Sequence, residues 1–135
     1  MIVVDTSVWI DLFPGRKTRQ VKVLESLIEQ REDICLCGVI LTEVLQGIRD
    51  EKEYNTTKSI FSNLILLPMN RETFVLAANL YRSLRASGIT IRNSVDCMIA
   101  AVCIENRSRL LHKDRDFDLI ATHSDLKVLD VSTPR

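Results

Sequence analysis

The feature that most restricts the fold of this chain is an alternation of short, continuous apolar runs with segments of helical periodicity. Five short runs are typical of buried strands: "IVVD", "DICLCG", "LILLPM", "RLLHK" and "LKVLDV". Between them, apolar residues recur every three or four positions, as in "TRQVKVLESLIEQR" and "RETFVLAANLYRSLRAS". Strands that are apolar on both faces and separated by helices are typical of βαβ units. The pattern therefore predicts an α/β fold whose parallel sheet is covered by helices on both faces.

Length and composition favour one ordinary globular domain. A chain of 135 residues has room for one substantial core, and we expect a single domain over residues 1–135. Its hydrophobic content of 46% and charged content of 27% argue against disorder. No apolar run approaches the ~20 residues of a membrane helix, and no basic segment leads into an apolar stretch as in a signal peptide. We therefore expect a cytoplasmic protein with no membrane partner.

The four cysteines do not have the spacing of a zinc site. Cys35 and Cys37 stand two apart in a strand-like run, and Cys97 and Cys103 stand six apart in a helical one. Structural zinc sites need paired ligands at short, fixed spacings, and the two histidines do not complete one. We expect buried, reduced thiols instead.

Five carboxylates follow the predicted strands or stand in the first turns of the helices beyond them. Asp5 ends the first strand, and Glu43 lies one turn into the helix after the second. Asp96 stands in the first turn of the "NSVDCMIAAV" helix, while Asp114 and Asp116 follow the fourth strand. The carboxyl ends of parallel strands share one edge of a sheet, where ligands bind. These five side chains are therefore predicted to converge.

Each carboxylate also has a local explanation. Asp5 is suited to cap the following helix, and Asp96 in a first turn would interact favourably with the helix dipole. Glu43 could be a solvated helix residue, and Asp114 and Asp116 could form a turn and the next helix cap. These explanations are independent of one another, and none accounts for convergence on one edge.

Clustered carboxylates indicate a hard divalent cation. Like charges a few ångströms apart repel, and oxygen ligands are those that Mg²⁺ prefers. Such an ion can activate water and stabilise the charge of an in-line phosphoryl displacement. The sequence contains no GxGxxG, P-loop or GxSxG motif, which argues against a nucleotide-binding cradle and a serine hydrolase. Basic residues cluster in "GRKTRQVK", "YRSLRASGITIR" and "RSRLLHKDR", so hydrolysis of a nucleic-acid phosphodiester fits best.

Four motifs resemble those of the PIN-domain ribonucleases, specifically the VapC-type toxins of type II toxin–antitoxin systems. In chain order they are "VVDTSVWIDLF", "LTEVLQGI", "DCMIAAVC" and "LLHKDRDFDLI", and they span nearly the whole chain. The resemblance implies a single PIN-like α/β domain. Its central parallel sheet would have four to five strands in the order 3-2-1-4-5, with helices on both faces.

The resemblance also implies an activity, that of an endoribonuclease dependent on Mg²⁺ or Mn²⁺. A metal-activated water would attack phosphorus in line and leave 5′-phosphate and 3′-hydroxyl ends. The positions matching the family's catalytic residues are Asp5, Glu43, Asp96 and Asp114. Those matching its metal ligands are Asp5, Asp96, Asp114 and Asp116. Thr6 or Ser7 would supply an auxiliary hydroxyl that holds the site or the phosphate.

Partners are implied in the same way: an RNA substrate with transfer RNA as a candidate, a cognate antitoxin, and a second copy of the chain in a homodimer. Two alternatives stay open, a PIN-type nuclease of RNA processing and a non-cleaving module that binds RNA or a partner. His112 is favoured as a structural histidine over a catalytic base, and Trp9 as a core residue. Phe13 is left open between the core and a groove for a partner helix. The basic residues expected to contact RNA are Arg16, Lys17, Arg19, Arg92, Lys113 and Arg115.

Overall fold

The predicted strands form one parallel sheet in a computed structural model of the protein. The structure describes residues 1–132, so the last three positions of the predicted domain lie outside the described residues. The sheet order is β3-β2-β1-β4-β5, and every neighbouring pair is parallel, which confirms the predicted order. The strands are β1 (Ile2–Val4), β2 (Ile34–Cys37), β3 (Ile65–Leu67), β4 (Arg109–Leu111) and β5 (Lys127–Val128).

Helices connect these strands and cover both faces of the sheet. Connections that run from β1 to β2 to β3 move one way across the sheet, and those from β3 to β4 to β5 move the other way. Because such crossovers are right-handed, the first four helices lie on one face and the last three on the other. None of these helices is long and apolar enough to cross a membrane. The helices are α1 (Thr6–Leu12), α2 (Arg19–Glu29), α3 (Gly38–Gln46), α4 (Glu51–Phe61), α5 (Arg71–Ala86), α6 (Ser94–Asn106) and α7 (Arg115–Thr122).

The core lies around the central strands and α6. All residues of β1 and β2 are buried, as is most of α6 from Cys97 to Cys103. The four cysteines are free and buried, as predicted. The edge strand β3 differs from the expectation of a buried strand, since Ile65 and Leu66 are exposed and only Leu67 is buried. A strand at the edge of the sheet has a neighbour on one side only, so less of it is covered.

The site is placed by the junction between β1 and β4. These strands are neighbours, but the connections that leave them run to opposite faces of the sheet. A crevice opens outside the carboxyl ends of strands at such a switch point. The backbone N–H of Asp5 donates to the carbonyl of Leu111 at 2.9 Å, which continues the pairing of β1 and β4 up to the crevice. The residues that follow both strands therefore face one another.

Trp9 lies in the core, as predicted, and its indole is hydrogen-bonded to the end of β1. Trp9 is 2% exposed, and its Nε1–H donates to the carbonyl of Val4 at 3.0 Å. Its ring packs edge-on against Phe61 at a centroid distance of 4.9 Å. Phe13 is half-buried, stacks on Trp9 and packs against Phe61, so it lies at the border of the core.

Replacing Trp9 by phenylalanine is expected to lower the free energy of unfolding by about 1–3 kcal/mol, because a buried carbonyl loses its donor. Urea unfolding followed by circular dichroism measures the change. Ile10→Ala is the control in the same helix, since Ile10 is 50% exposed. It should change stability by less than about 0.5 kcal/mol. Equal midpoints for Trp9→Phe and the wild type would contradict the assigned role of the indole.

Candidate metal centre

Asp5 begins the site at the carboxyl end of β1. It is 5% exposed and is the N-cap of α1. Its Oδ2 accepts hydrogen bonds from the backbone N–H of Ser7 at 3.0 Å and from the Ser7 hydroxyl at 2.6 Å. The local explanation of Asp5 as a cap is therefore confirmed. Both bonds use one oxygen, so capping fixes the carboxylate without excluding a role in cation binding.

Glu43 reaches the same crevice from α3, one turn beyond the end of β2. The Thr6 hydroxyl donates to its Oε1 at 2.9 Å. This bond joins the first residue of α1 to the middle of α3, and it orients the Glu43 carboxylate toward β1. Thr6 and Ser7 thus each donate a hydrogen bond to a different carboxylate.

Asp96 and the two aspartates after β4 complete the cluster. Asn93 caps α6 and places Asp96 in its first turn. Asp114 caps α7, where its Oδ1 accepts from the backbone N–H of Asp116 at 3.0 Å. The cap is therefore Asp114, whereas the local reading gave that role to Asp116. One carboxylate oxygen from each of Asp96, Asp114 and Asp116 lies within 4.8 Å of the others.

These residues enclose one cavity of about 270 Å³ at the switch point. All five predicted carboxylates line it, so the sequence-based expectation of convergence agrees with the geometry. The cavity residues are Asp5, Thr6, Glu43, Arg92, Asn93, Asp96, Asp114 and Asp116.

The surroundings of the cluster disfavour the ionised form of its carboxyl groups, and the pKa of Asp96 shows this most clearly. Burial, followed by the charges of the neighbouring acids, raises the pKa of Asp96 to about 7. Burial also raises the pKa of Asp5, against the lowering effect of the hydrogen bonds from Ser7. An extra positive charge in the cavity would favour the ionised form of both groups.

Arg92 is a cation that the structure places against the cluster. Its Nε lies 3.3 Å from Oδ2 of Asp116, and its Nη2 lies 3.7 Å from Oδ1 of Asp114. Its side chain is 76% exposed, which leaves the guanidinium free to exchange partners with solvent or a ligand. Arg92 thus pairs with the two aspartates that follow β4.

The donor set fits a hard divalent cation. The cluster offers carboxylate oxygens and no sulfur or imidazole ligand. This is the chemistry that Mg²⁺ and Mn²⁺ select, and Mg²⁺ keeps several waters that would occupy the rest of the cavity. Asp96, Asp114 and Asp116 lie close enough to share one ion, and Asp5 adjoins them at the cavity wall.

The other predicted basic residues have varied surroundings. Lys17 forms an exposed ion pair with Glu25 at 2.9 Å. Arg19 and Arg115 are the exposed first residues of α2 and α7. The remaining two, Arg16 and Lys113, both contact the carboxylate of Asp11.

Asp11 is a residue that the sequence analysis missed. It is 1% exposed, and it lies three positions after the buried Val8, on the covered side of α1. A charged residue on an apolar helix stripe was the available signal, because such a residue requires partners.

His112 is structural, as predicted. Its Nδ1 accepts from the backbone N–H of Asp114 at 3.1 Å, and its Nε2 lies 3.1 Å from Oδ1 of Asp118. The ring also packs against Phe117 with centroids 5.2 Å apart. Both ring nitrogens are engaged, which leaves the histidine to hold the turn before α7.

Comparison with known proteins gives one family and a consistent set of relatives. Residues 2–122 match the family model described as the PIN domain. A VapC ribonuclease of Mycobacterium bovis is 35% identical over 94% of this chain and 96% of its own length. Ribonuclease VapC11 of Mycobacterium tuberculosis shows the same identity and coverage.

Solved structures show the same fold. The VapBC2 structure of Rickettsia felis, bound to a DNA fragment from its promoter, contains a chain with a TM-score of 0.75 and 19% identity. The match covers 96% of this chain and 98% of that chain. VapBC-1 of nontypeable Haemophilus influenzae contains another, with a TM-score of 0.74, 19% identity and coverage of 98% and 100%.

The raised pKa of Asp96 predicts how the stability of the metal-free protein depends on pH. Its folded pKa of about 7 lies above the ordinary value of 3.8, so the folded state keeps a proton that the unfolded state loses. The contribution of Asp96 to stability is fully present below pH 3.8 and is lost as the pH rises through about 7. Asp96→Asn should remove this loss and raise the Tm relative to wild type more at pH 8 than at pH 5.

Thermal unfolding in EDTA at both pH values measures this difference. Asp125→Asn is the matched control, because Asp125 is exposed and lies outside the cavity. Its Tm should follow that of the wild type at both pH values. If the difference in Tm between Asp96→Asn and the wild type were the same at pH 5 and pH 8, the raised pKa of Asp96 would be contradicted.

Proposed function

The chain belongs to the PIN-domain family, and from this membership we propose that it is a metal-dependent endoribonuclease toxin that hydrolyses RNA and is inhibited by an antitoxin. The observation that carries the proposal is the convergence of five carboxylates at the switch point of the sheet. Relatives named as VapC ribonucleases support the reaction, and the VapBC complexes among the structural neighbours support the antitoxin.

Different residues of the site would bind the cation and orient its ligands during hydrolysis. A divalent cation bound by Asp96, Asp114 and Asp116, with Asp5 beside them, would supply Lewis-acid activation of water and charge stabilisation. Ser7 keeps the Asp5 carboxylate in one orientation through two hydrogen bonds. Placing preoriented groups around the reacting atoms lowers the cost of reaching the transition state.

Glu43 and Arg92 line the same cavity, and both are more exposed than Asp5. The Glu43 carboxylate, held by the Thr6 hydroxyl, is available to accept a proton or a water hydrogen bond near the scissile phosphate. The Arg92 guanidinium is free to bind phosphate oxygens once a cation neutralises Asp114 and Asp116, and its planar fork suits that contact.

Several finer assignments follow from the family. We propose Mg²⁺ or Mn²⁺ as the ion, because the ligands are carboxylates and the cluster lacks sulfur. A structured RNA such as transfer RNA is the proposed substrate, a homodimer the proposed assembly, and the cytoplasm the proposed location. The proposed RNA contacts are Arg16, Lys17, Arg19, Arg92, Lys113 and Arg115.

Metal-dependent cleavage is the first test of this function. The antitoxin-free protein is incubated with total cellular RNA in Mg²⁺, in Mn²⁺ and in EDTA. We expect discrete fragments with 5′-phosphate ends that require the metal. Asp114→Asn should lower the cleavage rate at least about 100-fold, because it removes one of the carboxylates that would hold the ion. Asp125→Asn is the control, because its carboxylate is exposed and lies outside the cavity.

The outcomes separate the alternatives. Equal cleavage by Asp114→Asn and the wild type would remove Asp114 from the site. Tight Mn²⁺ binding with intact RNA under every condition would favour the non-cleaving module. If the co-expressed product of the neighbouring gene does not inhibit cleavage, a nuclease of RNA processing would be favoured.

Arg92 provides a separate test of phosphate binding. Arg92→Gln in the Asp114→Asn background, in which cleavage is expected to be at least about 100-fold slower, should weaken RNA binding and reduce the salt dependence of log Kd by about one. Fluorescence anisotropy across salt concentrations measures both quantities. Arg109→Gln is the control, because Arg109 is an exposed residue at the start of β4, on the opposite edge of the sheet. An unchanged salt slope for Arg92→Gln would show that Arg92 does not touch the phosphates.

A further inference from the structure

A second charged cluster lies beside the metal centre, around the buried carboxylate of Asp11. Lys113 Nζ contacts Oδ2 of Asp11, and Arg16 Nη1 lies 2.9 Å from Oδ1. The hydrogen bond from Lys113, and then that from Arg16, lowers the pKa of the Asp11 carboxyl group. Asp11 is therefore a buried anion that holds two cations from different parts of the chain.

Lys113 contacts α1 through both its backbone and its side chain. Its backbone N–H donates to the Ser7 hydroxyl at 3.0 Å, and that hydroxyl donates to Oδ2 of Asp5 at 2.6 Å. Its side chain reaches one turn further along α1, to Asp11. The next residue in the chain is Asp114. The turn between β4 and α7 is thus fastened to the helix that begins at Asp5.

Arg16 binds the same carboxylate but holds nothing in the cavity. It follows α1 in the connection to α2, and its backbone N–H also donates to the carbonyl of Asp11 at 3.0 Å. Its side chain is 64% exposed. Arg16 and Lys113 therefore place one cation each on Asp11, but only Lys113 adjoins a carboxylate of the metal centre.

We propose that Asp11 is a positioning residue, which acts through Lys113 to fix the β4–α7 turn and hold Asp114 at its place opposite Asp5. The inference rests on the proposed metal site and deepens it. It also changes the role of Lys113, which becomes a brace between α1 and the turn and is no longer an RNA contact. The substrate phosphate is then left to Arg92 and the other exposed basic residues.

Charge and position make opposite predictions for the loss of Lys113. Removing a positive charge beside the carboxylates would, by electrostatics alone, strengthen cation binding. Removing a brace would free the turn and weaken cation binding, because ligands held by hydrogen-bonded neighbours lose affinity when those neighbours are removed. The sign of the change in metal affinity therefore distinguishes the two effects.

The test is a Mn²⁺ titration of the metal-free protein, followed by electron paramagnetic resonance of the free ion. Lys113→Met should weaken Mn²⁺ binding about tenfold or more. Arg16→Met is the matched control, because it removes a cation from the same Asp11 carboxylate, and it should stay within about twofold of the wild type. The Lys113 side chain is 42% exposed, so its replacement is expected to leave the protein folded.

Lys113→Arg is the second variant and keeps a cation within reach of Asp11. It should bind Mn²⁺ within about threefold of the wild type. A weakening as large as that of Lys113→Met would overturn the proposal, because restoring the ion pair would then have no effect. Equal or tighter Mn²⁺ binding by Lys113→Met would also overturn it. So would a raised KM for RNA with unchanged Mn²⁺ affinity, which would return Lys113 to the RNA surface.

The same titration separates this inference from the proposed function. If the wild type binds no Mn²⁺, the metal centre itself is wrong. If the wild type binds Mn²⁺ and all three variants bind it equally, the metal centre stands and the positioning role of Asp11 fails.

Discussion

Neighbouring carboxylates in the cavity repel one another, and the residues around them partly offset that repulsion. Asp5 and Asp116 are almost fully buried, and burial together with the other acids raises the pKa of Asp96 to about 7. Such a cluster disfavours its own ionised state unless fixed donors and a cation compensate. The protein supplies part of this compensation through Ser7 and Arg92, and the remainder is what a divalent ion would provide.

The donors that fix the carboxylates are the beginnings of helices. Asp5 and Asp114 accept backbone hydrogen bonds as the N-caps of α1 and α7. Asp96 stands in the first turn of α6, where the partial positive charge of the helix favours an anion. The local and functional explanations of these residues are therefore compatible. The same helix starts that hold the carboxylates also place them at the crevice between β1 and β4.

Basic residues pair with two acidic centres, the cavity of the metal centre and the carboxylate of Asp11, and the two centres differ in their access to solvent. Arg92 lies on the open cavity with an exposed side chain, and a phosphate can replace its partners. Asp11 is buried, and its carboxylate pairs with Arg16 and Lys113. The net charge of zero conceals this division, because it counts Arg92 and Lys113 alike. We infer that the first cation acts on substrate and the second on the geometry of the turn.

The strands, the helices and the edge at which Asp5, Glu43 and Asp96 meet could be predicted from the amino-acid sequence alone. These follow from hydrophobic periodicity and from capping preferences, which act over a few residues and are written locally in the chain. The family resemblance added the strand order. The tertiary structure was needed to show which cations pair with which anions, because Lys113 meets Asp11 across 102 residues of sequence. It also decided that Asp11 is buried, since the covered side of a short helix depends on what packs against it, and periodicity gives no distance between side chains on different elements.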